Sequence, residues 1–217
     1  MLLSEDRIKQ IIRLVIESTV VNTSDPVINS IRDRVIKHEG KKYGVYLDSR
    51  GIPTIGVGFN LNRKDSTAIL KQIGVNPVKI KSGEHKLNDQ QVNKLLDQDL
   101  IQSKKDVEDL IDGFNTLPIP VQGVLVEMNF NLGKQGLSKF KNFLNYIKKK
   151  RWRRAANEML DSLWAKQVGQ RAKTLSKIIS SQSNPKIERP VKTDVWMGKE
   201  FNPTTKLSVD NKENVED

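Results

Sequence analysis

Apolar residues recur at intervals of three and four along the first forty residues, which is the spacing of one face of an α-helix. The pattern predicts an amphipathic helix over residues 4–19, capped by Ser4, and a break at the sequence NTSDP of residues 22–26. A second, shorter helix is expected to follow and to end at Gly40. Its apolar face would consist of Val27, Ile28, Ile31, Val35 and Ile36.

The period of the pattern changes after Gly40. The segments YGVYLD and IPTIGVGF flank the short connection SRG, an arrangement typical of a β-hairpin. Alternate residues of the second strand are expected on opposite faces, with Ile55, Val57 and Phe59 on one and Thr54, Gly56 and Gly58 on the other. Pro53 has no backbone N–H, so it predicts that this strand lies at the edge of its sheet.

From Asn88 onward the pattern is helical. Residues 88–112 predict one long amphipathic helix. Four shorter helical patterns follow, at 119–133, 137–150, 152–165 and 169–180. Prolines and an acidic end replace the pattern beyond Ser180, so we interpret residues 183–217 as a mostly extended tail with a local anchor at Trp196. The predicted class is α+β, with a small hairpin-containing lobe, a linking helix and an all-helical lobe around a cleft.

Net charge is the strongest signal in the composition of the 217-residue chain. The formal charge is +11, and such a field favours polyanionic partners: nucleic acid, an anionic membrane or an anionic cell wall. The densest basic run, at residues 148–154, is also explained as a solvated helix face, and no predicted element is suited to reading base edges. The chain lacks cysteine and has two histidines, so disulfides are excluded and no metal site is expected.

Two acids and a hydroxyl surround the predicted hairpin. Glu39 lies at the last turn of its helix, where unpaired carbonyls favour the protonated form that a general acid needs. Asp48 lies beside a turn whose backbone N–H groups and Arg50 can support a charged carboxylate. Thr54 faces the same side, at a Cβ distance of roughly 7–8 Å that leaves room for one water. An acid and a base separated by a water describe an inverting glycosidase, but both positions are also common outside active sites.

The residues around this triplet resemble one enzyme family. The segments HEG, YLDSRG and TIGVGF contain Glu39, Asp48 and Thr54, and they are similar to those of phage lysozymes of the T-even bacteriophage type. The intervals of nine and six residues within the triplet match the family's Glu, Asp and Thr. The segment EMNFNLG at 127–133 and the shorter matches RW, AA, SLW and RAK follow in the family's order. The resemblance covers residues 30–198, most of the chain.

The resemblance implies a muramidase that hydrolyses the β-1,4 bond between N-acetylmuramic acid and N-acetylglucosamine in bacterial peptidoglycan, without a cofactor or metal. In the family's scheme Glu39 would protonate the leaving oxygen. Asp48 would activate a water on the opposite face of the sugar, and Thr54 would help to place that water.

The same resemblance implies further site residues. Phe130 and Asn131 would line the sugar groove, and Arg171 would lie close enough to Glu39 to steady it. By sequence pattern alone, Phe130 is equally a core residue, Asn131 a helix cap and Arg171 a surface residue. His38, next to the acid in the sequence, is expected to be a bystander.

The chain departs from the family pattern at three positions. Phe59 replaces a histidine that supports an ion pair in the family, a change expected to affect stability more than chemistry. Phe143 and Glu158 replace a serine and an asparagine that contact sugar, so different subsite preferences are expected.

These patterns divide the chain into three parts: an amphipathic N-terminal extension (1–26), a lysozyme domain (27–182) and a C-terminal tail (183–217). The domain would contain a small lobe (27–87), the linking helix (88–112) and a helical lobe (113–182). Peptidoglycan is the expected partner and a monomer the expected free state. Phage tail or baseplate proteins are candidate partners of the extension or the tail, and nucleic acid is not expected.

The expected location follows from the start of the chain. Glu5 and Asp6 stand where a signal peptide carries positive charge, and no run approaches the roughly 20 apolar residues of a membrane-spanning helix. Synthesis in the host cytoplasm is expected, with access to the cell wall at lysis or as part of the virion. Two alternatives stay open: an inactive wall-binding or virion structural relative, and a nucleic-acid binder that leaves the spacing of the acids unexplained.

Overall fold

The computed structural model describes residues 4–7, 10 and 25–182. Residues 5–7 and Gln10 are helical. The rest of the predicted N-terminal helix lies outside the described residues, and so does the predicted tail with its anchor at Trp196.

Helices make up most of the described structure, and a small antiparallel sheet lies near its start. The helices are α1 (Pro26–Glu39), α2 (Ser66–Gln72), α3 (Pro77–Lys81), α4 (Asp89–Leu110), α5 (Ile119–Ser138), α6 (Lys141–Lys148), α7 (Trp152–Leu160), α8 (Leu163–Val168) and α9 (Gln170–Ser180), with a 3-10 turn at Phe114–Thr116. The strands are β1 (Lys42–Leu47), β2 (Pro53–Gly56) and β3 (Phe59–Asn60). The predicted α+β, lysozyme-like class is confirmed.

Helix α1 brings its last residue, Glu39, to the start of the sheet. Asp25 caps the helix, because its Oδ1 accepts hydrogen bonds from the backbone N–H groups of Val27 and Ile28 at 2.9 and 3.2 Å. Gly40 ends it as predicted, with φ of 78°, a conformation that favours glycine. The end of α1 at Gly40 therefore fixes the backbone position of Glu39.

The hairpin forms with the predicted register. Tyr46 pairs with Thr54 and Leu47 with Pro53, and the Asp48 N–H donates to the Ile52 carbonyl at 3.0 Å. Asp48 and Thr54 therefore extend from the same face of neighbouring strands, as the length of the loop predicted.

The predicted second strand is wrong beyond Gly56. The chain turns at Val57 and Gly58 and returns as β3. Ile55 and Phe59, predicted to lie on one strand, are therefore paired across two neighbouring strands. Gly56 and Gly58 make the reversal possible, since both have positive φ, 69° and 83°.

The edge position predicted from Pro53 is also wrong, because the strand order β1-β2-β3 makes β2 central. Proline is tolerated here since it is the first residue of its strand. Its carbonyl still accepts a hydrogen bond from the Leu61 N–H at 2.9 Å.

The long helix predicted at 88–112 is present as α4. It starts at a capping box, in which the side chain and backbone of Asn88 exchange hydrogen bonds with those of Gln91 at 2.9 and 3.0 Å. Two shorter predictions differ from the structure. The helix predicted to end at Gly133 continues as α5 through a kink there, and Ser162 caps a separate helix by accepting from the Ala165 N–H at 3.0 Å.

Helices α1 and α5 approach each other closely at Gly123. A methyl group at Gly123 of α5 would lie 2.6 Å from Ile31 Cγ2 of α1, which is closer than van der Waals contact allows. Ile31 is fully buried, as are Val35 of α1 and Val124 of α5. The glycine therefore lets the two helices pack closely, and this packing places the end of α1 against the C-terminal half of α5.

Candidate active site

A cleft of about 730 Å³ lies between the sheet and the helices α4 and α5. Glu39 enters it from the end of α1, and Asp48 enters from the end of β1. Phe130 and Asn131 of α5 also line it. The structure thus brings four of the six predicted site residues to the surface of one cavity. The other two do not line the cavity: Arg171 is buried and bonded to Glu39, and Thr54 is buried and bonded to the Ile52 carbonyl.

Glu39 is held through one of its two carboxylate oxygens. Arg171 Nη1 donates to Oε1 at 2.5 Å, and Asn131 Nδ2 donates to the same oxygen at 3.4 Å. Within the described residues, Oε2 makes no hydrogen bond, and the side chain is 27% exposed. One oxygen therefore fixes the carboxyl group while the other is left for a proton and a ligand.

Asn131 is itself oriented by Trp164 of α8. The indole Nε1–H donates to Asn131 Oδ1 at 2.8 Å. Because an indole can only donate, this bond assigns the amide oxygen to Trp164 and turns the amide nitrogen toward Glu39. Asn131 is thus part of the site's support, and it does not cap a helix end.

Asp48 lies in different surroundings. Its Oδ1 accepts the backbone N–H groups of Arg50 and Ile52 at 2.8 and 2.9 Å. Its Oδ2 lies 3.4 Å from the Arg50 guanidinium. The Ile52 N–H, together with the N–H and guanidinium of Arg50, holds the pKa of Asp48 below its usual value, against a smaller opposing effect of burial. This carboxylate is stabilised in its charged form.

Thr54 lies behind the cleft, with 3% of its surface exposed. Its hydroxyl donates to the Ile52 carbonyl at 2.9 Å. Its pairing partner Tyr46 is a residue that the sequence reasoning missed. Burial raises the pKa of the Tyr46 hydroxyl, and the charges of Asp48 and Glu39 act in the same direction. Tyr46 therefore stands near both carboxylates.

Glu127 is the second residue that the sequence reasoning missed. It is fully buried in α5 and contacts three basic side chains. Arg34 Nε lies 2.6 Å from its Oε2, while His38 Nδ1 and Arg171 Nε lie 2.7 and 3.2 Å from its Oε1. Arg171, only 7% exposed, is not the surface residue that its sequence position also allowed. His38, the expected bystander, is bonded to Glu127 and, within the described residues, makes no hydrogen bond or ion pair with Glu39.

The three departures from the family pattern have definite surroundings. Phe59 is buried, and the Arg63 guanidinium lies over its ring at 4.7 Å while pairing with Asp65 and Asp99. The position of the family's histidine is thus occupied by a phenylalanine that contacts Arg63, and Arg63 forms ion pairs with two acids.

Phe143 and Glu158 line a second cavity of about 630 Å³ in the helical lobe. Phe143 is fully buried, and Glu158 accepts a hydrogen bond from Asn142 Nδ2 at 2.9 Å. Neither residue lines the cleft that contains Glu39 and Asp48.

Residues 4–7, 10 and 25–182 contain neither a candidate metal site nor a candidate membrane-spanning helix. No group of three or more histidine or acidic side chains is placed to hold a metal ion. No helix in this part of the chain has the length and apolar character needed to cross a membrane.

Comparison with known proteins agrees with this fold. The family model described as Phage lysozyme matches residues 36–178. Probable T4-type lysozyme 2 of Dictyostelium discoideum is 30% identical over 155 residues, which cover 67% of this chain and 91% of that protein. Probable T4-type lysozyme 1 of the same organism is 29% identical over 164 residues, covering 71% and 96%.

A third relative is a longer protein, of which only a part matches this chain. The pre-baseplate central spike protein Gp5 of Enterobacteria phage T4 is 25% identical over 169 residues, covering 73% of this chain and 29% of the spike protein. The chain belongs to the phage lysozyme family. It is therefore a lysozyme, and so a glycoside hydrolase.

Proposed function

We propose that this lysozyme is a muramidase that cleaves the β-1,4 bond between N-acetylmuramic acid and N-acetylglucosamine in peptidoglycan with inversion. The observation that carries the proposal is the contrast between two carboxyl groups on one cleft. Glu39 keeps one oxygen without a hydrogen-bond partner among the described residues. Asp48 is stabilised as an anion by two backbone N–H groups. An inverting glycosidase requires this division between an acid and a base.

Glu39 would act as the general acid. Its Oε2 donates a proton to the glycosidic oxygen as the bond to the anomeric carbon breaks, and the leaving sugar departs with a new hydroxyl group. Arg171 and Asn131 hold Oε1, so the carboxyl group does not need to reorient during the step. The Arg171 guanidinium also stabilises the carboxylate that remains after proton transfer.

Asp48 and Thr54 would act on the attacking water. The Asp48 carboxylate accepts one proton of the water while the water oxygen bonds to the anomeric carbon from the opposite face. The Thr54 hydroxyl hydrogen is engaged with the Ile52 carbonyl, so its oxygen presents lone pairs to the water. Exchange of protons with solvent then restores a protonated Glu39 and an ionised Asp48.

Phe130 and the net charge would contribute to binding. The ring lines the cleft beside Asn131 and offers a flat apolar surface to a sugar face. The charge of +11 attracts the enzyme to an anionic cell wall. The relationship to a baseplate spike protein makes a virion-borne enzyme the second candidate setting, beside release at host lysis.

Substitution Glu39→Gln tests the assignment. Gln retains an oxygen for Arg171 but cannot donate the catalytic proton, so clearing of a peptidoglycan suspension should fall by about 10²- to 10⁴-fold with the fold preserved. The control Glu84→Gln changes an exposed acid bonded to Ser82 and should clear at the wild-type rate.

Each alternative predicts a different result. Clearing by Glu39→Gln at the wild-type rate would remove Glu39 from its role. An inactive structural relative would show no clearing by the unmodified protein. A nucleic-acid binder would combine absent clearing with tight, strongly salt-dependent DNA binding.

A further inference from the structure

A cluster of buried and half-buried charged side chains lies next to Glu39, and Glu127 is at its centre. Arg34 and His38 contact Glu127 from α1, and Arg171 contacts it from α9. Arg171 extends on to Glu39. We infer that Glu127 is a positioning residue for hydrolysis, which orients Arg171 against Glu39 and offsets the positive charge of Arg171. The inference rests on the proposed role of Glu39 as the acid.

The first step of the argument is geometric. Arg171 uses two different nitrogens for the two carboxyl groups: Nε bonds to Glu127 at 3.2 Å and Nη1 to Glu39 at 2.5 Å. Glu127 is fully buried and Arg171 nearly so, hence neither can exchange its partner for solvent at low cost. With Nε fixed by α5, the direction of Nη1 is fixed too. The guanidinium therefore meets Glu39 in one defined position.

The second step concerns the local charge. Arg34 and Arg171 supply two permanent positive charges, and His38 adds a third when it is protonated. Glu127 supplies the negative charge that faces all three. Without it, the cations would stand uncompensated beside Glu39 and would favour its ionised form, which has no proton to give.

The remaining neighbours of Glu39 do not replace Glu127. Asn131 is neutral, while Tyr46 lies in β1 and Asp48 directly follows that strand. Asp48 is an anion, but its hydrogen bonds are directed to Arg50 and Ile52 and not to Arg171. Glu127 is the acid that meets Arg171 from the interior.

A matched buried pair separates this role from a purely structural one. Asp97 of α4 is 3% exposed and bonds to Arg32 of α1, with 2.6 Å between Oδ1 and Nε. It resembles Glu127 in burial, charge and helix partner, but among the described residues it has no bond to Arg171 or Glu39. Asp97→Asn should therefore lower the stability of the fold as Glu127→Gln does, but it should not change the behaviour of Glu39.

The experiment compares kcat and KM from about pH 4 to pH 9 for wild type, Glu127→Gln and Asp97→Asn on soluble peptidoglycan fragments, with thermal melting of each protein. Loss of Glu127's charge should move the basic limb of the profile to lower pH by about half a unit or more. It should also lower kcat roughly tenfold with little change in KM, because an ill-placed acid slows the chemical step. In Asp97→Asn, the basic limb of the pH profile should stay at the wild-type pH.

Arg34→Gln provides an opposite test that does not depend on the folding of Glu127→Gln. Arg34 bonds to Oε2 of Glu127, the oxygen that Arg171 does not contact, and its removal leaves Glu127 with Arg171 and His38 as its basic partners. The basic limb should then move to higher pH. A merely structural cluster would not give shifts of opposite sign.

The inference is overturned if Glu127→Gln keeps the wild-type basic limb, if Asp97→Asn shifts it equally, or if Arg34→Gln shifts it downward. Failure of the proposed function gives a different result, since Glu39→Gln would then clear peptidoglycan like wild type. An inactive Glu39→Gln combined with an unshifted Glu127→Gln rejects the role of Glu127 alone.

Discussion

Glu39 and Asp48 have similar side chains, and their neighbours make them different. Glu39 meets side chains that reach it from α5 and α9, whereas Asp48 is held by the backbone of the turn that follows it. The surroundings of Asp48 are local, so the sequence SRG was enough to predict a supported carboxylate. The surroundings of Glu127 are not local, since Arg34 and Arg171 are 93 and 44 residues away in the chain. No spacing rule reveals such a cluster.

The pKa of Asp48 leads to a prediction about acid pH. Because the folded-state value is lowered, the carboxylate stays charged as the pH falls through the usual range near 3.9, and the acid limb of kcat/KM should lie below that pH. The same shift stabilises the fold above the usual value, and that contribution is lost as the pH falls through the lowered one.

Asp48→Glu checks the cause of this shift. The longer side chain cannot keep both bonds to the N–H groups of Arg50 and Ile52, so the acid limb should move to higher pH and activity should fall by about 100-fold. Arg50→Gln keeps both N–H groups and serves as the control, with only a small movement expected. An acid limb unchanged in Asp48→Glu would show that the turn does not set the charge of Asp48.

At the scale of elements, long periodic segments were predicted well and short ones were not. Helix α4 was evident from its period, while α2 and α3 have seven and five residues, too few to establish one. The sequence feature that could have predicted α3 is Asn76 followed by Pro77, since Asn76 caps the helix and Pro77 is its first residue. The reversal between β2 and β3 was hidden because Gly56 and Gly58 also fit an alternating strand.

Gly123 carries a prediction about helix packing. Gly123→Ala should lower the free energy of unfolding by about 1–2 kcal/mol, because the clash with Ile31 outweighs the gain in helix propensity. Urea denaturation measures the change. Ile31→Leu removes the branch that would clash, so the double variant should recover part of the loss. Stabilisation by Gly123→Ala alone would contradict a required close contact between α1 and α5.

At the scale of the whole molecule, the proposed function assigns the positive charge and the cleft to the same substrate. The basic run at the turn between α6 and α7 is exposed apart from Trp152. Among the described residues only Lys148 of this run has an acidic partner, Asp112 at 3.8 Å. The sequence of this run predicted an exposed helix face, in agreement with the exposure of its basic side chains. Under the proposed function, most of this charge is available to attract an anionic cell wall.

This charge predicts a salt effect that depends on the substrate. Clearing of whole cell walls should slow several-fold between about 0.05 and 0.3 M salt, where screening of surface charges becomes strong. Hydrolysis of a soluble, uncharged oligosaccharide with the same linkage should change little over that range. Equal salt dependence for both substrates would show that salt acts on the active site instead of on attraction to the wall.

The two carboxyl groups belong to different parts of the scaffold. Glu39 ends a helix packed on α4 and α5, whereas Asp48 directly follows a strand of the sheet, so the distance between the two carboxyl groups depends on how the sheet packs against the helices. Hydrolysis then requires both elements to hold their places, because a displaced acid or base slows the chemical step. A small molecule that binds in the cleft and separates the sheet from the helices should slow hydrolysis without contacting either carboxyl group.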